Sequence, residues 1–136
     1  MKVVVDSNIY ISAFLFDKDP EVLIDLGIGN HFKIYSSLYI ISEVRRVLHE
    51  KLGTSERFAH LAAKRVERHS SVVQIRGVRG PIPTDPKDGP IIKTCLACRA
   101  DFLVTGDKAL ATLKVHGTII VSVSQFLRHL QSQGIS

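Results

Sequence analysis

Acidic side chains stand at three places in the sequence where a strand ends or a helix begins. Asp6 follows the apolar run 3–5, Asp107 follows the strand-like run 102–106, and Asp88 precedes a segment of helical periodicity. Ligands of an open parallel sheet bind beyond the carboxyl ends of its strands, and a helix N-terminus attracts a carboxylate. The spacing therefore predicts that these three acids meet at one edge of a sheet.

A fourth acid, Glu43, lies inside a predicted helix rather than after a strand. At 100° per residue the apolar stripe of this helix ends at Val47, and Glu43 falls about 40° outside that edge. Arg46 and Tyr39 are predicted to point further round, toward solvent. Glu43 is therefore the acid on this helix that best faces the sheet edge.

Carboxylates that gather at one place repel one another and raise each other's pKa unless a cation compensates. Hard oxygen ligands suit Mg²⁺ or Mn²⁺, and four acids without His or Cys argue against zinc. Two such ions about 3.5–4 Å apart can activate a water and hold a phosphodiester for in-line attack. The chain has 18 Lys and Arg against 13 Asp and Glu, a net charge of +5, which favours a polyanionic partner. Metal-binding acids on a basic protein suggest phosphate chemistry on nucleic acid.

The alternation of β-branched runs with helical periodicity predicts which elements position the acids. We expect strands at residues 2–5, 33–35, 72–75, 102–105 and 118–121. We expect helices at residues 8–14, 20–27, 37–50, 55–69, 89–99, 108–113 and 124–133. This alternation predicts an α/β fold with three layers, α/β/α, around a central, mostly parallel sheet of about five strands. The 136 residues fit a single domain over 1–136, with a Gly- and Pro-rich loop at 76–90.

Four stretches of the chain resemble the motifs of PIN-domain proteins, in the same order. VVVDSNIYISA at residues 3–13 is similar to the opening of these proteins, where a strand ends in Asp, then Ser or Thr, then Asn. ADFLVTGD at residues 100–107 is similar to their later strand, and Glu43 stands where they carry a helical acid. DPKD at residues 85–88 is similar to their acidic turn before a helix. Together the motifs span most of the chain.

The resemblance implies a metal-dependent endoribonuclease that hydrolyses RNA phosphodiester bonds, a VapC-like toxin of a prokaryotic toxin–antitoxin pair. By the same resemblance, the catalytic and metal-binding residues would be Asp6, Glu43, Asp88 and Asp107. Asn8 and Thr105 would support the first and last acids by hydrogen bonds. The implied cofactor is Mg²⁺ or Mn²⁺, and the implied partners are an RNA substrate, an antitoxin protein and a second copy of the chain.

Two positions depart from the family's pattern. Gly89 and Pro90 follow Asp88 directly, where the family usually continues into a helix with a polar residue, and Ala100 stands where Gly is frequent. Proline suits the first turn of a helix. We therefore keep Asp88 as the third acid, with Asp85 as the alternative.

Half of the basic residues lie in one segment of the chain. Nine of the 18 Lys and Arg residues fall between positions 45 and 79. As a group they could form a track for a phosphate backbone, which gives affinity without reading sequence, although any one of them is more simply a solvated charge. The residues that we expect to bind substrate are Arg45, Arg46 and Lys108.

A rival to the enzyme is a binding module of the same fold, which docks RNA or an antitoxin with little or no catalysis. A phosphatase on a similar sheet usually has a second Asp two residues after the first, where this chain has Asn8. Cys95 and Cys98 fall on an apolar arc, and we expect buried thiols rather than a metal site. No apolar run approaches the roughly 20 residues needed to cross a membrane, and no secretory signal opens the sequence, so we expect a cytoplasmic protein.

Overall fold

The computed structural model describes residues 1–15, 18–83 and 85–135. The strands within these ranges are β1 (Lys2–Val5), β2 (Lys33–Ser36), β3 (Ser71–Val72), β4 (Phe102–Val104) and β5 (Ile119–Val121). They form one sheet in the order β3-β2-β1-β4-β5, and every pairing is parallel. The predicted parallel sheet is confirmed, and all of its carboxyl ends lie at the same edge.

Helices connect and cover these strands. They are α1 (Ser7–Leu15), α2 (Lys18–Ile28), α3 (Leu38–Arg46), α4 (Glu56–Arg68), α5 (Gly89–Cys98), α6 (Lys108–Ala111) and α7 (Val123–Ser132). The sequence predicts one α-helix over residues 37–50, and this is wrong at its end. A single π-helical turn, Val47–Lys51, follows α3, and the Leu52 amide donates to the Val47 carbonyl at 3.0 Å. This wider turn takes Lys51 out of the 100° periodicity.

The edge strand β3 is shorter than the predicted strand at residues 72–75. It pairs with β2 only through Ser71 and Val72. The Val73 amide then donates to the carbonyl of Ser36, the last residue of β2, at 2.9 Å. Because β2 ends there, the following residues have no ladder to join, and a short strand protects the edge of the sheet.

Both faces of the sheet are covered. Val3, Val4 and Val5 have no exposed area, and successive side chains of a strand point to opposite faces. Packing of α3 against α4, and of α2 against α7, completes the three predicted layers. Cys95 and Cys98 are buried free thiols in this core, as predicted.

The described residues between β3 and a short 3₁₀ turn at Pro86–Asp88 form no regular element, which agrees with the predicted loop at 76–90 except at its end, where residues 86–90 are helical. That loop leads directly into α5 and so delivers Asp88 to the carboxyl edge of the sheet. Within the described ranges, none of the helices has both the length and the apolar character that a membrane crossing demands.

Candidate active site

A cavity of about 230 Å³ opens at the carboxyl edge of the sheet, and all four predicted acids line it. Its walls come from the residues that follow β1, from α3 and the turn after it, from the 3₁₀ turn before α5, and from Asp107. The lining residues are Asp6, Ser7, Asn8, Tyr39, Glu43, Val47, Lys51, Asp85, Lys87, Asp88, Ile91 and Asp107. We call this space the acid cavity.

Asp6 is fixed between β1 and α1. Its amide donates to the Val104 carbonyl on β4 at 3.0 Å, which extends the sheet by one bond. The residue is 3% exposed, and its carboxylate accepts hydrogen bonds from the hydroxyls of Thr105, at 2.8 Å, and Ser7, at 3.4 Å. Burial raises the pKa of Asp6 above its ordinary value, with a smaller contribution from Asp107, and the two hydroxyls oppose that rise.

Thr105 joins the two acids that follow adjacent strands. While its hydroxyl donates to Asp6, the same oxygen accepts the Asp107 amide at 3.1 Å. Asp107 in turn caps α6, because its Oδ1 accepts the amides of Ala109, at 2.9 Å, and Leu110, at 3.4 Å. The cap fixes one oxygen of Asp107 and leaves Oδ2 without a hydrogen bond from the described residues.

The two acids of the 85–88 turn have different surroundings. Asp85 is exposed, and its Oδ1 accepts the Lys87 amide at 3.0 Å, which caps the 3₁₀ turn. Asp88 is 6% exposed and receives no hydrogen bond to its carboxylate from the described residues. Burial raises the pKa of Asp88, and the charges of Asp107, Asp85 and Asp6 add to the rise. Both acids line the cavity, but Asp88 is the one whose charge is uncompensated.

Glu43 is already paired. Its carboxylate forms a close ion pair with the Arg46 guanidinium one turn along α3, and Arg46 also approaches Glu50 at 3.9 Å. Tyr39, one turn before Glu43, lines the cavity instead of pointing to solvent as predicted. Burial raises the pKa of Tyr39, and the Glu43 charge raises it further. Spacing of four residues places both side chains on one helix face, a signal that indicates Tyr39 as a site residue.

The cations at the cavity differ from those expected to bind substrate. Arg45 pairs with Glu56 on α4 at 3.4 Å, and neither Arg45 nor Lys108 lines the acid cavity. Lys51 and Lys87 line it instead. Lys51 reaches it through the π-helical turn, which helical periodicity does not predict, and Lys87 lies between two acids of the DPKD motif.

Support for Asp6 also differs from the expected arrangement. Asn8 lines the cavity, but within the described ranges its side chain makes no hydrogen bond. Thr105 and Ser7 hold Asp6 instead. The Asn8 side chain is exposed at the start of α1, so its carboxamide is available to hydrogen-bond a ligand.

The acid cavity fits a hard divalent cation in its donor chemistry. Every acid at the cavity offers carboxylate oxygen, and no His or Cys is among the lining residues. Burial raises the pKa values of Asp6 and Asp88, and neighbouring acid charges add to the rise, so a cation at the cavity would stabilise both carboxylates. As they stand, no three acidic, His or Cys side chains in the described part of the chain converge closely enough to hold an ion. The ion pair of Glu43 with Arg46 is one reason, because it turns that carboxylate to the guanidinium.

The chain has the class of fold in which an all-parallel α/β sheet binds ligands beyond the carboxyl ends of its strands, and here acids follow β1 and β4 at that edge. A family model for the PIN domain matches residues 2–109, and the chain belongs to that family. PIN domains are generally nucleases, and these nucleases generally use divalent metals such as Mg²⁺.

Solved structures share the fold. A chain in the crystal structure of VapBC2 from Rickettsia felis, bound to a DNA fragment from their promoter, matches with a TM-score of 0.66 and 15% identity over 90% of this chain and 98% of that chain. PAE2754 from Pyrobaculum aerophilum matches with a TM-score of 0.62 and 22% identity over 98% of this chain and 100% of that chain. Comparison with curated proteins gave no match. At these identities the structural likeness shows the fold alone.

Proposed function

We propose that this chain is a metal-dependent endoribonuclease that hydrolyses RNA phosphodiester bonds and acts as the toxin of a toxin–antitoxin pair. The observation that carries the proposal is the acid cavity, where Asp6, Glu43, Asp88 and Asp107 line one space at the carboxyl edge of the sheet. Membership of the PIN family supports the nuclease activity, and the fold shared with VapBC2 supports the toxin–antitoxin role.

In this proposal the four acids hold Mg²⁺ or Mn²⁺, directly or through water. When bound, the cation activates a water and neutralises charge on the phosphodiester. Of the four acids, Asp88 would be stabilised most by the cation, because its buried carboxylate accepts no hydrogen bond from the described residues. Glu43 must exchange its ion pair with Arg46 for the cation. Asp85 assists by adding negative charge at the mouth of the cavity while it caps the turn.

The remaining residues position the acids and the substrate. Thr105 keeps the Asp6 carboxylate oriented and favours its charged form, because its hydroxyl donates to that group. Lys51 and Lys87 place positive charge beside the acids, where a phosphate of the substrate would lie. The side-chain carboxamide of Asn8 lines the cavity without a hydrogen bond to the described residues, so it is placed to hydrogen-bond the substrate. Because Asp6 and Asp88 are buried, water screens the charges of these two carboxylates only weakly.

The direct test is cleavage of a mixed RNA pool by the wild type and by Asp6→Asn, each with Mn²⁺ and with EDTA. We expect cleavage only by the wild type with Mn²⁺. Asp101→Asn is the matched control, since Asp101 is an exposed acid at the opposite edge of the sheet, where it accepts the Lys2 amide at 2.8 Å. Cleavage that survives both Asp6→Asn and metal removal would overturn the proposed mechanism.

One observation favours a second candidate function, a PIN-fold module that binds RNA or an antitoxin with little or no catalysis. Arg46 forms an ion pair with the Glu43 carboxylate, and no three of the described acids lie close enough together to hold a metal ion. The two functions differ in a single result, because a module of this kind would bind RNA without cutting it in Mn²⁺. An antitoxin partner is tested by co-expression with the product of the neighbouring gene, and a homodimer by the mass of the purified chain in solution.

A further inference from the structure

A second groove adjoins the acid cavity and carries the opposite charge. It has a volume of about 480 Å³, and among the described residues that line it only Arg79 and Lys93 are charged. The rest of its wall is apolar or small, with Pro81, Ile82 and Pro83 among its members. We call this space the flank groove. Neither cation forms an ion pair with another described residue.

The two cavities share one wall. The segment from Pro86 to Gly89 runs between them: Lys87 and Asp88 line the acid cavity, whereas Pro86 and Gly89 line the flank groove. An extended ligand that leaves the acid cavity across this short turn therefore enters the flank groove. The wall is fixed locally, because Asp85 caps the turn and α5 begins immediately after Asp88.

Packing of the loop against α5 brings the two cations together. A Cβ atom built on Gly80 would lie 2.6 Å from Cδ1 of Leu96, so a larger residue at position 80 would have to displace the end of the Leu96 side chain. Arg79 directly precedes Gly80, and Lys93 lies one helical turn before Leu96 on α5. The loop thus packs against α5 with Arg79 and Lys93 on the same groove.

The acid cavity alone is a poor site for a polyanion. Five acids line it against two lysines, so nucleotides beside the scissile bond need positive charge elsewhere. The flank groove supplies that charge, and none of its described lining residues is acidic. Ile82, which is 95% exposed, and the neighbouring prolines add an apolar surface that a splayed base can contact. Bases are accessible in this way only in single strands.

We propose that the flank groove binds the nucleotide next to the scissile bond of a single-stranded RNA, with its phosphate held by Arg79 and Lys93. This inference rests on the proposed nuclease function and adds the path of the substrate. The contacts to phosphate position the strand and do not read its sequence. The groove therefore selects single strands over duplexes and does not select a particular base.

The test measures binding of a fluorescein-labelled single-stranded RNA by anisotropy at several NaCl concentrations, in an Asp6→Asn background without metal. Arg79→Ala/Lys93→Ala is expected to weaken binding on the order of tenfold. The slope of log K against log salt is expected to shrink by about 0.7, the value for one phosphate contact on a single strand. A duplex of the same sequence should show little of this loss.

The matched control is Lys33→Ala/Arg68→Ala. These two cations line a separate cavity of about 240 Å³, and Lys33 begins β2 at the opposite edge of the sheet. The control removes the same net charge, so an equal loss of affinity in the control would overturn the inference. So would unchanged RNA binding by the Arg79→Ala/Lys93→Ala protein, or an equal loss for the duplex. Thermal melts of both double variants check folding, and Arg79→Gln alone gives a milder variant.

Failure of the groove and failure of the nuclease function give different results. If the wild type cleaves RNA with Mn²⁺ and the double variant keeps the same KM and salt dependence, the groove inference alone is wrong. If the wild type does not cleave, while the double variant loses single-strand affinity and the control does not, the groove stands as a binding site and the nuclease function is wrong.

Discussion

The hydroxyl of Thr105 donates a 2.8 Å hydrogen bond to Oδ2 of Asp6, across two strands and 99 positions of sequence. The contact follows from the sheet register, because Val5 on β1 pairs with Val104 on β4 in a parallel ladder. The residues that follow this pair are Asp6, after β1, and Thr105, after β4. Two sequence motifs at opposite ends of the chain are thereby joined in one buried hydrogen bond.

Replacing Thr105 by Val should disturb Asp6 chemically more than it disturbs the fold. The hydroxyl lowers the Asp6 pKa against the effect of burial, so its loss raises that pKa further. We expect the acid limb of the pH profile of RNA cleavage to move to higher pH. Stability should fall by about 1–2 kcal/mol at pH 7 for the broken buried hydrogen bond, and the deficit should shrink as the pH falls and Asp6 protonates.

Thr105→Ser separates the hydroxyl from the volume of the side chain. It keeps the donor to Asp6 and the acceptor for the Asp107 amide, so its pH profile should match that of the wild type. Cleavage assays at a series of pH values, together with urea melts, compare the three proteins. An unshifted profile for Thr105→Val would show that this bond does not tune Asp6.

Asp88→Asn should stabilise the metal-free protein. Because the folded pKa of Asp88 is raised above its ordinary 3.8, the charged form destabilises the fold at pH values above the folded pKa. This cost is lost as the pH falls through that value toward 3.8. We expect a melting temperature in EDTA at pH 7 that is higher than the wild type's by on the order of 3 °C, and no difference near pH 4.

Added Mn²⁺ should reverse this order, since a ligand stabilises the protein that binds it better. Asp85→Asn is the control, because Asp85 is exposed and its replacement keeps an oxygen for the Lys87 amide. Scanning calorimetry with and without metal measures both effects. A gain in stability from Asp85→Asn equal to that from Asp88→Asn would mean that Asp88 is not the uncompensated acid.

Arg46→Met should tighten Mn²⁺ binding if Glu43 is a metal ligand. The half-exposed ion pair competes with the cation for the Glu43 carboxylate, and such pairs contribute about 0.2–1 kcal/mol. Releasing it should lower the Kd for Mn²⁺ by up to about fivefold, measured by calorimetric titration without RNA. Arg45→Met removes a pair with Glu56 that lies away from the cavity, and its Kd should not change. Equal affinities for all three proteins would remove Glu43 from the ligand set.

The placing of Asp6, Asp88 and Asp107 could be predicted because it depends on topology. Parallel strands bring their carboxyl ends to one edge whatever their side chains do. Asp6 and Asp107 follow two such strands, and Asp88 precedes a helix that starts at the same edge. The fold class follows from the same alternation of strands and helices.

The surroundings of Glu43 could not be predicted in the same way. Whether its carboxylate faces the cavity or Arg46 depends on rotamers, which sequence spacing does not determine. The π-helical turn after α3 breaks the periodicity that would otherwise place Lys51. The position of Tyr39 could have been predicted, since it lies four positions before Glu43 on the same helix face. The apolar stripe alone predicts that it points to solvent. Contacts among side chains of one helix thus limit the prediction more than the topology does.

Phe126 on α7 should be essential to the fold although it lies outside the residues that the family model matches. It is fully buried, and its ring packs edge-on against Phe32, with centroids 5.1 Å apart, and against Phe102, at 5.4 Å. Phe126→Ala should lower the free energy of unfolding by about 3–5 kcal/mol. Arg128→Ala, an exposed change on the same helix, should alter it by less than about 0.5 kcal/mol. Because Phe102 lies on β4, next to the strand that Asp6 follows, losing this contact should also weaken Mn²⁺ binding. A destabilised Phe126→Ala protein with unchanged metal affinity would show that α7 supports the fold without supporting the acid cavity.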